Sequence, residues 1–296
     1  MPVVPTCFDE NGQLDLDSQA NLIRYYLRCG VQGLQLFGNA SEYYALSEAE
    51  QSTVVELVCR EAAASVPVVV TTGGGSLEDA VKRIRMAANY GAQAVLLRPP
   101  AGIRREDPRA ALPYYLELSL VANVQIVVQD ALMAGQLILP AVLYREVERM
   151  IGRVGYIKVE VPWTVDRLRH VASVMNGRVR FLAGQNGIFM IEEQQAGAVG
   201  AMVGSDMTPH YIKIWRHCER REWSEAWTHF MRLLPLIRFQ MQSGMGASAI
   251  KNNLAAEGII RCARVRPQTP ALEGFALEEL AFLRNLAGVS AEVSAA

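Results

Sequence analysis

The sequence predicts an α/β fold, a (β/α)₈ barrel followed by a C-terminal helical extension. Short β-branched runs alternate with amphipathic segments from the start of the chain to about residue 220, the pattern of repeated βα units. The runs are eight in number: VVPTCF (3–8), GLQLFG (33–38), VPVVVTT (66–72), AVLLRP (94–99), VQIVVQD (124–130), VGYIKVE (154–160), RFLAG (180–184) and AMVG (201–204). After Trp215 the alternation stops, and 222–242, 246–257 and 276–287 read as helices without strands between them. Eight successive units favour a closed barrel, with a doubly wound open sheet as the lesser alternative.

The intervening helices announce themselves by their ends. LDSQANLIRYYLRCG (16–30) ends on Gly30, and SEAEQSTVVELVCREAAA (47–64) opens with Ser47 and Glu50 at capping-box spacing. SLEDAVKRIRMAANYG (76–91) starts on the capping residue Ser76, and TVDRLRHVASVMNG (164–177) ends on Gly177. Residues 1–220 are expected to form the barrel and 221–296 the helical extension packed on it. No Pro/Gly/Ser-rich linker marks a boundary between them.

With 296 residues and 51% hydrophobic content, the chain can bury a large core. Its 29 basic and 30 acidic residues are spread along the sequence for a net charge of -1, so no basic stripe follows a phosphate backbone, and nucleic acid is not an expected partner. No apolar run approaches the roughly 20 residues that span a bilayer, and MPVVPTCFDENG lacks the regions of a signal peptide. A cytoplasmic protein without a membrane partner is expected. The cysteines, Cys7, Cys29, Cys59, Cys218 and Cys262, are odd in number and far apart, which points to reduced thiols rather than disulfides or a metal site.

Within the sixth run, Tyr156, Lys158 and Glu160 share one face of the strand, and Ile157 and Val159 take the other. Active sites of such barrels lie at the C-terminal ends of the strands, and Lys158 falls late in its strand. An amine attacks a carbonyl only when neutral, and desolvation among aliphatic side chains favours that form. The protonated imine then withdraws electrons from the neighbouring carbon, the step required in aldol cleavage, condensation and dehydration of 2-oxo acids. No cofactor and no metal is called for, because the imine is itself the electron sink. The competing reading pairs Lys158 with Glu160 or sends it to solvent at the rim.

A second signal is GLQLFGNASEYYALSEAE (33–50), where a strand ends at Gly38 and a short polar loop follows. Backbone N–H groups of this loop, with the side chains of Asn39 and Ser41, can hold a carboxylate. Together these residues resemble the dihydrodipicolinate synthase and N-acetylneuraminate lyase family. GNASE followed by LSEAE resembles that family's Gly-Thr-Thr-Gly-Glu and Leu-Ser-x-x-Glu signature. TTGGGSLEDAVKRIRMAANYGAQAVLLRPP follows, and Lys158 in Gly155-Tyr156-Ile157-Lys158 falls at the family's Schiff-base position. FLAGQNG, GAVGAMVGSDMTPH, AIKNNLAAEGI and VRPQTPAL continue the match in order. The resemblance implies a barrel with a helical tail, a homotetramer built as a dimer of dimers, and class I aldolase chemistry on pyruvate or another 2-oxo acid.

The departures are as informative. The synthase's proton-carrying tyrosine, on the fifth strand, is replaced by Gln129, the proline after it by Leu132, and its carboxylate-gripping arginine by Ala134 or a neighbour. Asn39 stands where the loop hydroxyl is expected, and Ala101 is near the position of the tyrosine lent by an adjoining subunit. A glutamine cannot ionise, so it orients groups without carrying a proton.

Other polar residues have competing readings. Glu42 matches a family glutamate with a structural role, and Tyr43 and Tyr44 offer phenols or aromatic packing. Asn186 is a sugar-hydroxyl ligand or a solvated loop residue. Ser205 and Asp206 follow the eighth run, where Asp206 is equally a helix cap, and His210 reads as a packing residue. Gly73, Gly74 and Gly75 fit no nucleotide motif.

The expected function is a Schiff-base-forming lyase, an aldolase or dehydratase, acting on pyruvate or another 2-oxo acid such as a 2-keto-3-deoxy sugar acid. Lys158 and Gln129 form the catalytic set, and Gly38, Asn39, Ala40, Ser41, Gly184, Asn186, Val203 and Ser205 the substrate-binding set. The alternative is a catalytically weakened barrel that binds a 2-oxo acid in a regulatory or sensing role. True dihydrodipicolinate synthase activity is not expected.

Overall fold

The computed structural model describes residues 1–62, 65–132 and 137–289. Seven parallel strands form one curled sheet in sequential order: β1 (Leu34–Leu36), β2 (Val68–Gly73), β3 (Ala94–Arg98), β4 (Gln125–Ala131), β5 (Val154–Glu160), β6 (Arg180–Ala183) and β7 (Ala198–Ala201). Helices α1 (Leu16–Cys29), α2 (Glu48–Ala62), α3 (Leu77–Asn89), α4 (Leu112–Val121), α5 (Ala141–Ile151), α6 (Thr164–Met175), α7 (Met190–Gln195) and α8 (Thr208–Glu219) alternate with the strands. The fold is TIM-barrel-like, as eight βα units predicted.

The strand count is corrected at one place. Residues 3–8 form no ladder strand, and of 201–204 only Ala201, the last residue of β7, lies in one: an isolated bridge joins Pro2 to Val203 and another joins Val3 to Gln35. Four backbone hydrogen bonds make this seam, from Val3 to Val203 O (2.8 Å), Val4 to Gln35 O (2.9 Å), Gln35 to Pro2 O (3.0 Å) and Val203 to Met1 O (3.1 Å). Pro2 and Pro5 have no N–H to donate, which limits the pairing of this segment to a bridge on each side.

Helix ends follow the sequence signals. Ser47 and Glu50 bond reciprocally, Ser47 N to Glu50 Oε2 at 2.9 Å and Glu50 N to Ser47 Oγ at 3.3 Å. Asp79 N donates to Ser76 Oγ at 3.1 Å, and Gly30 closes α1 in the left-handed conformation. Three helices follow α8 with no strand between them, α9 (Trp223–Gln240), α10 (Gly246–Ala256) and α11 (Phe275–Ala287), close to the 222–242, 246–257 and 276–287 expected.

Two apolar layers result from strands buried on both faces. The outer one fills the space between sheet and helices. The inner one gathers Val69, Ala94, Leu96, Val127, Leu182 and Met202, with Tyr156 packed against it. Side chains alternate along a strand, so the inward position of Leu96 places Arg98 on the inner face. Val127 does the same for Gln129, and Tyr156 for Lys158 and Glu160. All four lie at the C-terminal ends of their strands.

Candidate active site

The inner face becomes polar above the Val127 and Leu182 layer. Gln129 of β4 and Lys158 of β5 are register partners, as are Ala131 and Glu160. Lys158 is buried, and its Nζ lies 3.0 Å from Glu160 Oε1 and donates to Gln35 Oε1 at 3.4 Å. Gln35 in turn donates to Thr71 Oγ1 at 3.0 Å, which fixes its amide with the oxygen toward the lysine. Gln129 Nε2 donates to Glu160 Oε2, and Gln185 N donates to Glu160 Oε1 at 3.1 Å. One carboxylate thus joins the amine, the strand β4 amide and the loop after β6. Burial pushes the Glu160 carboxyl up, but the charge and hydrogen bond of Lys158, with the bonds from Gln185 N and Gln129, outweigh it and hold the pKa below its ordinary value.

Glu160 reaches this position because residue 184 has no side chain. A Cβ there would lie 2.2 Å from Glu160 Cγ, well inside any tolerated contact. Gly184 is therefore a steric requirement of the site rather than a ligand.

These groups open into a cavity of about 610 Å³. Its charged lining residues are Arg98, Lys158 and Glu160. Of the predicted set, Lys158, Gln129, Gly38, Asn39, Ala40, Asn186 and Val203 line it, and Ser41, Gly184 and Ser205 stand behind its wall.

Three expectations need adjusting. The Ser41 hydroxyl donates to Val4 O at 2.5 Å, and Thr6 Oγ1 donates to Ser41 O at 2.7 Å, so this side chain anchors the loop and is not turned to a ligand. Ser205 is fully buried, which removes its hydroxyl from the cavity. Asn186 lines the cavity, but its amide donates to Gln240 Oε1 at 2.8 Å and accepts from Gly204 N at 2.6 Å. Its role is to tie the loop after β6 to α9.

Two open readings are settled in favour of structure. Asp206 does not cap α8; it is buried and accepts from Gln240 Nε2 (2.6 Å) and Asn253 Nδ2 (2.7 Å). Burial pushes its pKa up to about 6. His210 stacks on His229, with ring centroids 5.2 Å apart.

Glu42 is held from outside the barrel. It adopts the left-handed conformation (φ 50°) after the short turn Asn39–Ser41. Its buried carboxylate accepts from Lys251 Nζ of α10 and, at 3.0 Å, from Arg266 N. Tyr44 lines the cavity with its hydroxyl 2.8 Å from Thr269 Oγ1. Tyr43 lies beneath Arg98, which donates to its hydroxyl at 2.7 Å.

Sequence reasoning missed Glu160 as a site residue, treating it only as the partner that would disable Lys158. The strand parity it used already put both on one face. Gln35 was missed as well, although a lone polar side chain in an apolar strand is the kind of signal that found Lys158. The position expected to carry the synthase arginine, Ala134, lies outside the described residues.

Comparison with known proteins bears on this arrangement. Residues 1–281 match the Dihydrodipicolinate synthetase family. The chain is 30% identical over 277 residues to L-2-keto-3-deoxyarabonate dehydratase of Azospirillum brasilense, covering 92% of this chain and 88% of that protein. It superposes on dihydrodipicolinate synthase from Rhodopseudomonas palustris with a TM-score of 0.89 at 23% identity, covering 96% of each chain. A prophage protein of the dihydrodipicolinic acid synthase family from E. coli K12, solved in complex with pyruvate, superposes with a TM-score of 0.88 at 19% identity over 97% of each chain. A match that takes in the strands, the lysine and the loop at 38–41 over nearly the whole length places this chain in the dihydrodipicolinate synthetase family.

Proposed function

We propose that the protein is a Schiff-base-forming lyase that acts on a 2-oxo acid through Lys158, with Glu160 as its proton carrier. The observation that carries this reading is the cluster itself. A buried lysine on the inner face of the barrel stands 3.0 Å from a carboxylate that also accepts from Gln129, and all three line one cavity.

Glu160 takes the proton from Lys158, freeing the amine to attack the C2 carbonyl of the substrate. The carbinolamine then loses its hydroxyl as water, with the proton supplied from Glu160, leaving an iminium. Glu160, again a carboxylate, removes a proton from C3 to give the enamine. In a 2-keto-3-deoxy acid the electron pair of the enamine expels the C4 hydroxyl, which leaves as water with that same proton. The product is an α,β-unsaturated imine, which water releases from Lys158. Gln129 orients Glu160 and carries no proton. Asn39, Ala40 and the backbone at Gly38 seat the substrate carboxylate.

Dehydration is favoured over aldol cleavage by the likeness to a 2-keto-3-deoxy acid dehydratase over 92% of the chain. The replacement of the synthase tyrosine by Gln129 fits a reaction that does not use that phenol. We place residues 1–220 as a catalytic (β/α)₈ barrel completed at the seam by the segment after Pro2, and 221–296 as a C-terminal extension packed on it. We also take the protein to be a cytoplasmic homotetramer built as a dimer of dimers. Its five free cysteines and the exposed Phe275, Phe282 and Leu286 on one face of α11 support this reading.

The test is borohydride reduction in the presence of pyruvate and of a panel of 2-keto-3-deoxy sugar acids, followed by peptide mapping. The adduct is expected on Lys158 and absent from a folded Lys158→Ala variant, and the acid that labels most readily is expected to be dehydrated. Labelling of another lysine, or turnover by Lys158→Ala, would sink the assignment.

A further inference from the structure

We infer that Arg98 is the residue that recognises the negative charge of the substrate's carboxylate, and so restricts the site to 2-oxo acids over uncharged carbonyl compounds. This rests on the reading of Lys158 given above and adds a specificity-determining residue to it.

Arg98 ends β3 on the inner face, directly across the sheet from Gly73 of β2. Its guanidinium reaches past β2 to the loop that seats the carboxylate. Nη1 donates to Tyr43 Oη at 2.7 Å and Nη2 to Asn39 Oδ1 at 3.2 Å, and the plane stacks on the Tyr43 ring 4.9 Å from its centroid. Two contacts and a stack fix the fork in place and leave further N–H groups of its five without a protein acceptor among the described residues.

The glycine run after β2 has a function in this arrangement. A Cβ on Gly73 would lie 3.0 Å from Arg98 O and 3.1 Å from its N, and one on Gly74 would lie 3.3 Å from Arg98 Cδ. Both residues also have positive φ, 81° and 79°. Gly74 thus clears the path along which the arginine stem passes, and Gly73 lets the end of β2 lie close against the Arg98 backbone. They serve Arg98, and the nucleotide reading set aside on spacing has no place here.

The charge balance of the cavity supplies the second argument. Of its three charged lining residues, Lys158 and Glu160 neutralise each other at 3.0 Å. Arg98 has no carboxylate partner among the described residues, its bonds going to Tyr43 and Asn39. A guanidinium stacked and oriented at a ligand cavity, with its charge unanswered by protein, is arranged for an anion. Its bond to Asn39 places that anion at the loop where the carboxylate of a 2-oxo acid sits when C2 faces Lys158.

The assignment is tested with pyruvate and its uncharged methyl ester as trapping probes on the full chain. Adduct formation at Lys158 is followed against probe concentration in the wild type, Arg98→Gln and Arg98→Lys. Loss of a charge-assisted bidentate contact is expected to raise the half-saturating pyruvate concentration about 10- to 100-fold in Arg98→Gln. The methyl ester should change little, so that the preference for the acid collapses, and Arg98→Lys should restore part of it. A role confined to propping up Tyr43 would weaken both probes alike.

Equal weakening of the two, or an unchanged half-saturation for pyruvate in a variant with wild-type thermal unfolding, overturns the assignment while leaving Lys158 in place. Absence of any adduct in the wild type would overturn the Lys158 reading and this one with it.

Discussion

Gly184 and Glu160 approach so closely that a Cβ on residue 184 would fall 2.2 Å from Glu160 Cγ. The glycine lets the carboxylate lie along the inner wall, where it meets Lys158, Gln129 and the N–H of Gln185. Gly184→Ala is therefore expected to displace Glu160 without disturbing the strands. Misplacing a catalytic group by about 1 Å can cost on the order of 10²-fold. Turnover should fall by that order in Gly184→Ala, whereas imine trapping over long incubation persists. Full activity in the variant would show that Glu160 is not held by this contact.

Replacing Glu160 by Gln keeps the shape and the acceptor for Gln185 N but removes the proton carrier. Loss of a general acid–base group costs about 10²–10⁴-fold, and that range is expected for kcat with the natural 2-keto-3-deoxy acid. The acidic limb of the pH–rate profile should vanish in the same variant, since that limb reports the depressed carboxyl. A profile unchanged in shape would move the proton to another group, with Tyr44, on the cavity wall, the next to substitute.

Condensation of pyruvate with aspartate semialdehyde is expected to run near background. Gln129 is engaged with Glu160 and has no proton to relay, so the step served by a phenol in the synthase has no counterpart on β4. Efficient condensation in a coupled assay would overturn this and with it the reading of Gln129 as an orienting group.

Local signals were legible in the sequence, and long-range closure was not. The strand at 154–160 and the helices capped by Ser47 and Ser76 needed only near neighbours to be read, and Lys158 stood out because a charge in an apolar strand demands an explanation. The seam did not, since pairing of Val3 with Gln35 and Pro2 with Val203 depends on how the sheet curls. Glu160 was visible by parity, but its orientation depends on a missing side chain at Gly184, far along the chain. Arg98 drew no notice in the sequence, because its partners Asn39 and Tyr43 lie 59 and 55 residues away. Ser41 misled for the opposite reason: a hydroxyl in a binding loop looked like a ligand until Val4 O was found to accept from it.

The buried pair of Lys251 and Glu42 joins α10 to the loop that carries Asn39, 209 residues apart in sequence. Both side chains are excluded from solvent, so removing one partner leaves an uncompensated buried charge, at a cost of about 3–5 kcal/mol. Lys251→Met is expected to lower unfolding stability in urea by that amount. The double variant with Glu42→Gln should recover a large part, because the stranded carboxylate is gone. A single variant within 1 kcal/mol of the wild type, with 1 kcal/mol taken as a surface-like effect, would mean that water reaches the pair.

The pH dependence of stability carries a signature of Glu193. This residue of α7 is fully buried; Thr164 Oγ1 donates to its Oε1 at 2.6 Å, and its Oε2 has no partner among the described residues. Burial, with some help from the nearby Glu160 charge and against the Thr164 bond, pushes its pKa from 4.5 up to about 7. Between those values the folded chain keeps the proton and the unfolded chain gives it up. The unfolded state then binds fewer protons, so this group lowers stability as pH rises from 4.5 to 7 and adds no further change above that. At 1.36 kcal/mol per pKa unit the loss is on the order of 3 kcal/mol. Glu193→Gln keeps an acceptor for Thr164 and cannot ionise. Its stability relative to the wild type, from urea unfolding, is therefore expected to be about 3 kcal/mol more favourable at pH 8 than at pH 4, the size that follows from linkage. Asp206 and Glu257, raised to about 6 and about 7 by burial, keep their own slopes in both proteins and cancel in that difference. A wild-type and variant gap that stays constant from acid to neutral pH would show that Glu193 ionises in the fold as readily as in the unfolded chain.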